Sequence, residues 1–150
     1  MSKFKFRLAT LLRLREATRD ERRAALAEAY RVDDVLRERI GGMQAELDRL
    51  KNQCRRIAGP GDVDIDQLVE AQRYEVGLRA QQNQLTRQRK AVAEEIERRR
   101  QALLEADREV RVLEKLRDKQ AALHLHEQQR RDVKRLDEVA QQQAMREVAL

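Results

Sequence analysis

The chain has 150 residues, of which 40% are charged and 3% are aromatic, and its formal net charge is +6. Ala, Glu, Leu, Lys and Arg together supply 87 of the 150 positions, a composition that is typical of long helices and coiled coils. Five Gly and one Pro are too few to punctuate the loops of a compact two-layer domain. The composition also disfavours a β-rich fold, a disulfide scaffold and most enzymes.

The N-terminal segment holds both Phe residues and most of the excess positive charge, because residues 1–23 contain eight basic and three acidic residues. Three interpretations are open. The segment is a basic amphipathic helix on a membrane surface, or it binds nucleic acid nonspecifically, or its apolar side pairs with the C-terminal part of the chain while its basic side docks on an acidic protein. A nucleic-acid binder usually spreads its basic surface along a face, so charge concentrated at one end argues against that class.

Residues 36–57 indicate one side of a coiled coil, because apolar residues recur in alternating steps of four and three. This spacing predicts a first helix over about residues 4–57. The pair Gly41-Gly42 interrupts it, either as a tolerated kink or as a hinge or close crossing point. The seam consists of Leu36, Ile40, Met43, Leu47, Leu50, Cys54 and Ile57.

The sequence Gly59-Pro60-Gly61 contains the only Pro of the chain and predicts a turn over residues 58–63. Asp64 and Gln67 have the spacing of a capping box, so a second helix is predicted over about residues 64–146. A short connection makes two helices antiparallel neighbours. The predicted fold is all-α, a long antiparallel two-helix coiled-coil hairpin with unequal helices that forms a single unit over the whole chain.

The second helix continues the seam, but the polar residues Gln82, Arg89 and Arg99 interrupt its apolar frame. Because this helix is the longer one, roughly 30 residues at its C-terminal end are predicted to extend past the first helix. That overhang keeps an apolar stripe, and a stripe without a partner in the chain implies an external one. The frame is Leu78, Leu85, Val92, Ile96, Leu103, Ala106, Val110 and Leu113, and the stripe is Leu116, Leu123, Val133 and Leu136.

Residues that could carry catalysis are scarce. The chain has no Gly-rich phosphate-binding loop, and His124 and His126 point to different sides of a helix, where solvated side chains are expected. The one cysteine, Cys54, lies in the predicted seam, and a lone cysteine indicates a reducing compartment. No apolar stretch approaches the length of a membrane span, and none resembles a signal peptide. We therefore predict a non-enzymatic, cytoplasmic protein with no cofactor and no metal.

Three groups of residues share their order and spacing with one family of coiled-coil proteins. They are Phe4-Lys-Phe-Arg-Leu8 with Leu11-Leu12 and Arg15-Glu16, then Leu113-Glu-Lys-Leu116-Arg-Asp-Lys-Gln120, and Lys134-Arg-Leu136-Asp137-Glu138-Val139-Ala140 with Ala144-Met145-Arg146. Together they resemble the FliJ family, the small coiled-coil component of the flagellar type III export apparatus. The resemblance implies an antiparallel coiled coil similar to the rotor-stalk γ subunit of rotary ATPases.

The resemblance also implies partners. Both chain ends would insert into the hexameric export ATPase FliI, and the hairpin would contact the cytosolic domain of the export gate FlhA. The implied ATPase-docking residues are Lys3, Phe4, Lys5, Phe6, Arg7, Leu8, Leu136 and Met145. The implied gate contact is Tyr74, Leu78, Gln81 and Leu85, although Leu78 and Leu85 equally fit seam packing.

The function that the resemblance implies is that of a stalk, which promotes assembly of the ATPase ring and couples it to the gate during protein export. Export chaperones are a further candidate partner, no specific nucleic acid is expected, and the membrane is approached only peripherally, at the flagellar base. The alternative is a generic structural coiled coil that self-associates through its overhang. Sedimentation separates the two, because a tight dimer favours self-association.

Overall fold

The structure, a computed structural model, describes residues 2–150 and consists of two α-helices. Helix α1 spans Ala9–Ile57, helix α2 spans Ile65–Val148, and the described residues contain no β-strand. The fold is the predicted all-α hairpin of unequal helices. However, α1 begins at Ala9 rather than near residue 4, because residues 2–8 are not helical.

Local hydrogen bonds and one glycine explain how the chain reverses between the helices. The amide of Gly59 donates to a carbonyl in the last turn of α1 at 3.2 Å. Gly61 has a φ of +138°, a backbone conformation in which a side chain is strained. Asp64 Oδ1 accepts hydrogen bonds from the amides of Asp66 at 3.1 Å and Gln67 at 3.4 Å. The predicted N-terminal cap of the second helix is therefore confirmed.

The chain divides into two compact units. The terminal unit comprises Met1–Asp20 and Glu105–Leu150, and the turn unit comprises Glu21–Leu104. Each unit contains segments of both helices. That the whole chain forms a single domain stays a prediction.

The core of the terminal unit is small and apolar. Leu12 of α1 is buried with Val110 and Leu113 of α2, and Phe6 packs against them from the segment that precedes α1. Val110 is 0% exposed and lies at the centre of this core. Complete burial of one such side chain contributes about 2 kcal/mol, so these few residues supply much of the unit's cohesion.

The seam of the turn unit contains buried leucines at the predicted heptad positions. Leu36, Leu47 and Leu50 of α1 and Leu78 of α2 are all buried. The alternating steps of four and three place them on the side of each helix that faces the other. The predicted seam is therefore confirmed in this unit.

Each polar residue that interrupts the apolar frame of α2 donates a hydrogen bond to α1. Because the frame faces α1, these polar side chains need hydrogen-bond acceptors on α1. Two of them donate to side chains and the third donates to a backbone carbonyl. The bonds are Gln82 Nε2 to Gln44 Oε1 at 2.9 Å, Arg89 Nε to Asp33 Oδ1 at 3.0 Å, and Arg99 Nη1 to the Ala25 carbonyl at 2.6 Å.

Asp33 is the one buried charged residue among those described, with 6% of its surface exposed. Arg89 contacts its Oδ1 and Arg37 contacts its Oδ2, each through Nε at 3.0 Å. Two guanidinium groups thus offset the cost of burying this carboxylate. On the surface of the same unit, hydrogen bonds from Arg98 and then Arg99 hold the pKa of Glu95 below its ordinary value.

Gly41 and Gly42 lie inside α1, and the helix continues through both. A Cβ atom built on either residue would meet no neighbouring atom within 4 Å among the described residues. This open space excludes a close crossing of helices at the pair, and the hinge stays a prediction.

The C-terminal part of α2 has no cover. Every residue from 129 to 150 is exposed, including Leu136 at 69% and Met145 at 76%. The predicted overhang is therefore confirmed. It is 22 residues long rather than roughly 30, because the segment before α1 lies against α2 as far as Gln128.

Candidate docking surfaces

Residues 2–8, which we call the strap, lie against α2 instead of forming the first turns of α1. Lys3, Lys5 and Arg7 are exposed, whereas Phe4 and Phe6 are half-buried. This alternation has a period of two, which is the pattern of an extended segment with one side covered. The phenylalanines therefore pack towards α2, and the basic side chains face solvent.

Two side chains of α2 hold the N-terminal end of the strap. The Ser2 carbonyl accepts a hydrogen bond from Gln128 Nε2 at 2.8 Å, and His124 Nε2 lies 3.1 Å from the same oxygen. Because a carbonyl oxygen only accepts, His124 serves this contact as a donor through Nε2. The ring of Phe4 lies 5.7 Å from the His124 ring, centroid to centroid, with a tilt of 45°.

The other end of the strap is held by the apolar core. Phe6 packs on the cluster of Leu12, Val110 and Leu113, whose α2 residues lie about four to five helical turns before Gln128. Next to this cluster, Arg15 Nη1 contacts Glu109 Oε2 at 2.9 Å. The strap is thus attached to α2 at two separate places.

The structure divides the predicted ATPase-docking residues into two groups. Phe4 and Phe6 are occupied by contacts inside the terminal unit. The remaining residues are exposed and accessible to another protein: Lys3, Lys5, Arg7, Leu8, Leu136 and Met145. The strap contacts α2 at His124 and Gln128 and packs on the cluster of Leu12, Val110 and Leu113, whereas Leu136 and Met145 lie beyond those contacts.

The predicted gate-contact residues also differ from one another in exposure. Leu78 is only 7% exposed and belongs to the seam, and Leu85 is half-buried. Tyr74 is 50% exposed and Gln81 is exposed. Three of the four line an open hollow of about 390 Å³, together with Met43, Glu46, Arg73 and Gly77.

Tyr74 connects the two helices at this hollow. Its hydroxyl group donates a hydrogen bond to the Glu46 carboxylate of α1. This hydrogen bond raises the pKa of Tyr74 above its ordinary value, because it stabilises the neutral phenol, and the negative charge of Glu46 acts in the same direction. The ring of Tyr74 therefore lies beside the hollow with its hydroxyl group bonded across to α1.

Sequence reasoning missed four residues of these surfaces: Ser2, Glu46, His124 and Gln128. The expectation that His124 is a solvated helix residue is wrong, because the residue is half-buried between the strap and α2. The alternation of basic and apolar residues from Lys3 to Arg7 was the available signal, since it has the period of an extended segment. No comparable signal marked Glu46, because its contact depends on the pairing of two helices.

The described residues contain no group of His, Cys, Asp or Glu side chains that could hold a metal ion. Within the same residues, neither helix has a stretch long and apolar enough to cross a membrane. The described surface carries exposed basic side chains, exposed apolar side chains and several open hollows.

Among models of known protein families, the one described as Flagellar FliJ protein matches residues 4–149 of the chain. The matched range includes most of the strap, both helices and the turn. No curated protein and no solved structure gives a significant match.

Proposed function

Because the chain belongs to the FliJ family, which gives it a role in flagellar protein export, we propose that it links the export ATPase to the export gate without carrying out chemistry itself. In this proposal the terminal unit binds the ATPase ring and the turn unit binds the cytosolic domain of the gate. One chain then carries both contacts, so the ring assembles and acts in contact with the gate. The protein would work in the cytoplasm at the flagellar base.

The observation that supports ATPase docking most directly is the exposed surface of residues 129–150. Leu136 and Met145 expose most of their area, and large exposed apolar side chains favour a protein partner. The strap contributes Lys3, Lys5 and Arg7, which favour an acidic surface on that partner. Export chaperones would compete for the same apolar side chains.

Gate binding is supported by the hollow beside Tyr74. An aromatic ring that is half exposed and already fixed by a hydrogen bond loses little conformational entropy on binding, which is typical of an interface anchor. In this proposal Tyr74 and Gln81 contact the gate, while Leu78 and Leu85 support them from the seam.

ATPase docking is tested by measuring the affinity of the purified chain for the export ATPase of the same bacterium. The change Leu136→Ser with Met145→Ser should weaken binding about tenfold or more, because both side chains are exposed and their loss removes contact area alone. The matched control is Val112→Ser, which alters an exposed apolar residue of the same helix and unit. Equal losses in both variants would contradict the proposal.

The contribution of the strap's basic side chains to ATPase binding is tested by changing Lys3, Lys5 and Arg7 to Glu. The matched control reverses the same number of exposed basic residues of α2, namely Arg108, Lys115 and Lys119. We expect the first set to lower the association rate and the affinity, and the control set to have a smaller effect that disappears at high salt. Identical effects would mean that only the total charge matters.

Gate binding is tested with Tyr74→Ala and Gln81→Ala together. The control, Tyr30→Ala with Gln84→Ala, alters the same residue types at exposed positions of the same unit. We expect about tenfold weaker binding to the cytosolic domain of the gate for the first pair alone, with helicity unchanged in both. If the first pair melts the helices instead, those residues serve the fold.

Self-association through residues 129–150 is the alternative that the same exposed stripe favours. Sedimentation equilibrium over a wide concentration range distinguishes the two. A monomer supports a surface kept free for a different protein. A dimer that Leu136→Ser with Met145→Ser dissociates supports the alternative.

A further inference from the structure

The strap has contacts that its role as a carrier of basic residues does not require. Its first carbonyl, at Ser2, is shared by Gln128 and His124, and its Phe4 ring lies against His124. Phe6 fixes the opposite end in the apolar core. A segment that only needed positive charge could extend freely into solvent, so these contacts indicate that its position on α2 matters.

The position of the strap matters because the turns of α2 directly beyond the anchors, residues 129–136, carry four basic side chains and one acidic one. Residues 124–135 carry four basic and two acidic side chains, and residues 2–15 carry five basic side chains and no acidic one. These two segments together therefore have a net charge of +7, while the entire chain has +6. The anchors bring the N-terminal charges to the turn of α2 that precedes Arg131 and Arg135, which are exposed and point to the same side of the helix as Gln128.

An unanchored strap would have to become ordered when a partner binds, and that loss of conformational freedom would weaken binding. Hydrogen bonds from two α2 side chains remove part of this cost in advance. They also set the distance between the basic residues of the strap and those of the helix, so that one acidic surface can meet both.

We propose that His124 and Gln128 are positioning residues that hold the strap on α2, so that its basic side chains, Arg131 and Arg135 form one preorganised surface for an acidic protein partner. This inference rests on the proposed function for the identity of that partner, the export ATPase. A protein fits better than a nucleic acid, because exposed Val133 and Leu136 adjoin these basic residues and a phosphate backbone would leave them uncovered, and because acidic Asp137 and Glu138 follow directly.

The anchoring is tested first without any partner. The variant His124→Ala with Gln128→Ala should lose the strap to trypsin faster than the wild type, with cleavage after Lys3, Lys5 and Arg7 followed by intact mass. The expected acceleration is on the order of tenfold, because cleavage follows the population of the released strap and two hydrogen bonds are lost. Helicity measured by circular dichroism should not change.

The chain offers a closely matched control, His126→Ala with Gln129→Ala, which removes the same residue types from exposed positions of the same helix turn. A second variant, Gln128→Glu, keeps the shape of the side chain but replaces its donor with a carboxylate, and it should also release the strap. The single variant His124→Gln keeps a hydrogen-bond donor at this position, so its strap should be as resistant to trypsin as that of the wild type. Equal cleavage of the wild type, the anchor variant and the control would overturn the anchoring.

The consequence for binding is tested by combining the anchor variant with deletion of the strap, residues 2–8. In the full chain, His124→Ala with Gln128→Ala should weaken binding to the export ATPase about fivefold or more, in line with a hydrogen bond of ordinary strength. In the chain that lacks the strap, the same change should have no effect. A loss of the same size in both backgrounds would overturn the positioning role, because the anchors would then contact the partner themselves.

The two proposals can fail separately. If the wild type does not bind the ATPase but the anchor variant still releases the strap, the proposed function fails and the anchoring stands. If the strap is released and ATPase affinity is unchanged, the preorganised surface is overturned and the proposed function stands. Binding of a duplex DNA probe at physiological ionic strength as tightly as the ATPase would overturn the choice of a protein partner.

Discussion

The terminal unit and the turn unit hold their helix segments together in different ways. In the terminal unit, α1 and α2 meet in an apolar cluster that centres on Val110. In the turn unit, buried leucines alternate with three polar bonds between the helices, the most buried of which joins Arg89 to Asp33. Apolar contacts supply cohesion but tolerate a shift of one helix along the other, whereas directional polar bonds specify one register. The comparison therefore predicts that stability and register depend on different residues of one coiled coil.

The largest effect is expected at the apolar cluster. Leu12→Ala should lower the free energy of unfolding by about 3 kcal/mol, because it leaves a cavity beside Val110 that the small core cannot close. Chemical denaturation followed by circular dichroism measures the change. The control is Leu11→Ala at the neighbouring, partly exposed position, where we expect less than about 1 kcal/mol. Similar losses at both positions would mean that the terminal unit has no localised core.

A smaller effect is expected at the polar seam. Asp33→Ala should cost about 2 kcal/mol, because it leaves Arg89 facing the seam without its carboxylate, although that arginine keeps access to water. The double change Asp33→Leu with Arg89→Leu should recover this loss, since apolar residues of similar size often replace an ion pair without cost. This variant makes the turn unit resemble the terminal unit.

The same double variant tests the register directly. Spin labels at exposed positions 38 and 87, in a Cys54→Ala background, report the distance between the helices. We expect one narrow distance in the parent chain and a broader distribution in the double variant, even where stability has recovered. A distance that stays narrow would show that the leucines specify the register without the polar bonds.

Stability of the turn unit should also increase without any change to its seam. Gly41→Ala and Gly42→Ala should each add about 1 kcal/mol, because the added methyl group meets open space and alanine favours a helix. Gly61→Ala is the opposing control and should destabilise, since its φ of +138° strains a side chain. Thermal unfolding measures all three. If the stabilised variants also bind both partners normally, the glycine pair is no hinge.

The smallest effect is a pH dependence at Tyr74. The hydrogen bond to Glu46 stabilises the neutral phenol and raises its pKa, so the contribution to stability is complete below pH 10.0, the ordinary value, and is lost as pH rises through the raised value. In a Tyr30→Phe background, which leaves Tyr74 as the last tyrosine, absorbance of the phenolate reports this titration. Glu46→Gln should move the transition to lower pH. An unchanged transition would contradict the contact across the helices.

The sequence predicted what depends on repetition along one helix. Leu36, Leu47 and Leu50 lie where the spacing of four and three requires, and Asp64 caps α2 because a carboxylate at that position accepts the free amides of the first turn. These features are local, or they repeat often enough that one misplaced residue does not change the pattern.

Pairing between the helices was not predictable in the same way. Nothing in the periodicity of α2 relates Arg89 to Asp33 or Tyr74 to Glu46, because such contacts depend on how far one helix is shifted along the other. The strap was mistaken for helix because its short alternation, from Lys3 to Arg7, stands beside a long helical pattern. The candidate gate residues turned out to differ in exposure for a related reason. The periodicity that predicts Leu78 as a seam residue also places it on the same helical stripe as Tyr74 and Gln81.

The exposure of residues 129–150 affects how stable this end of α2 is before a partner binds. Their helix is held by its own backbone hydrogen bonds and by no buried side chain, and an isolated helix of this length is only marginally stable in water. Its last turns therefore open and close on the submicrosecond timescale. A partner that covers Leu136 and Met145 would arrest this motion, with a negative change in heat capacity as their area leaves water. Beyond the basic residues next to the strap, the last turns of α2 would thus complete their folding only when a partner binds, which favours quick release.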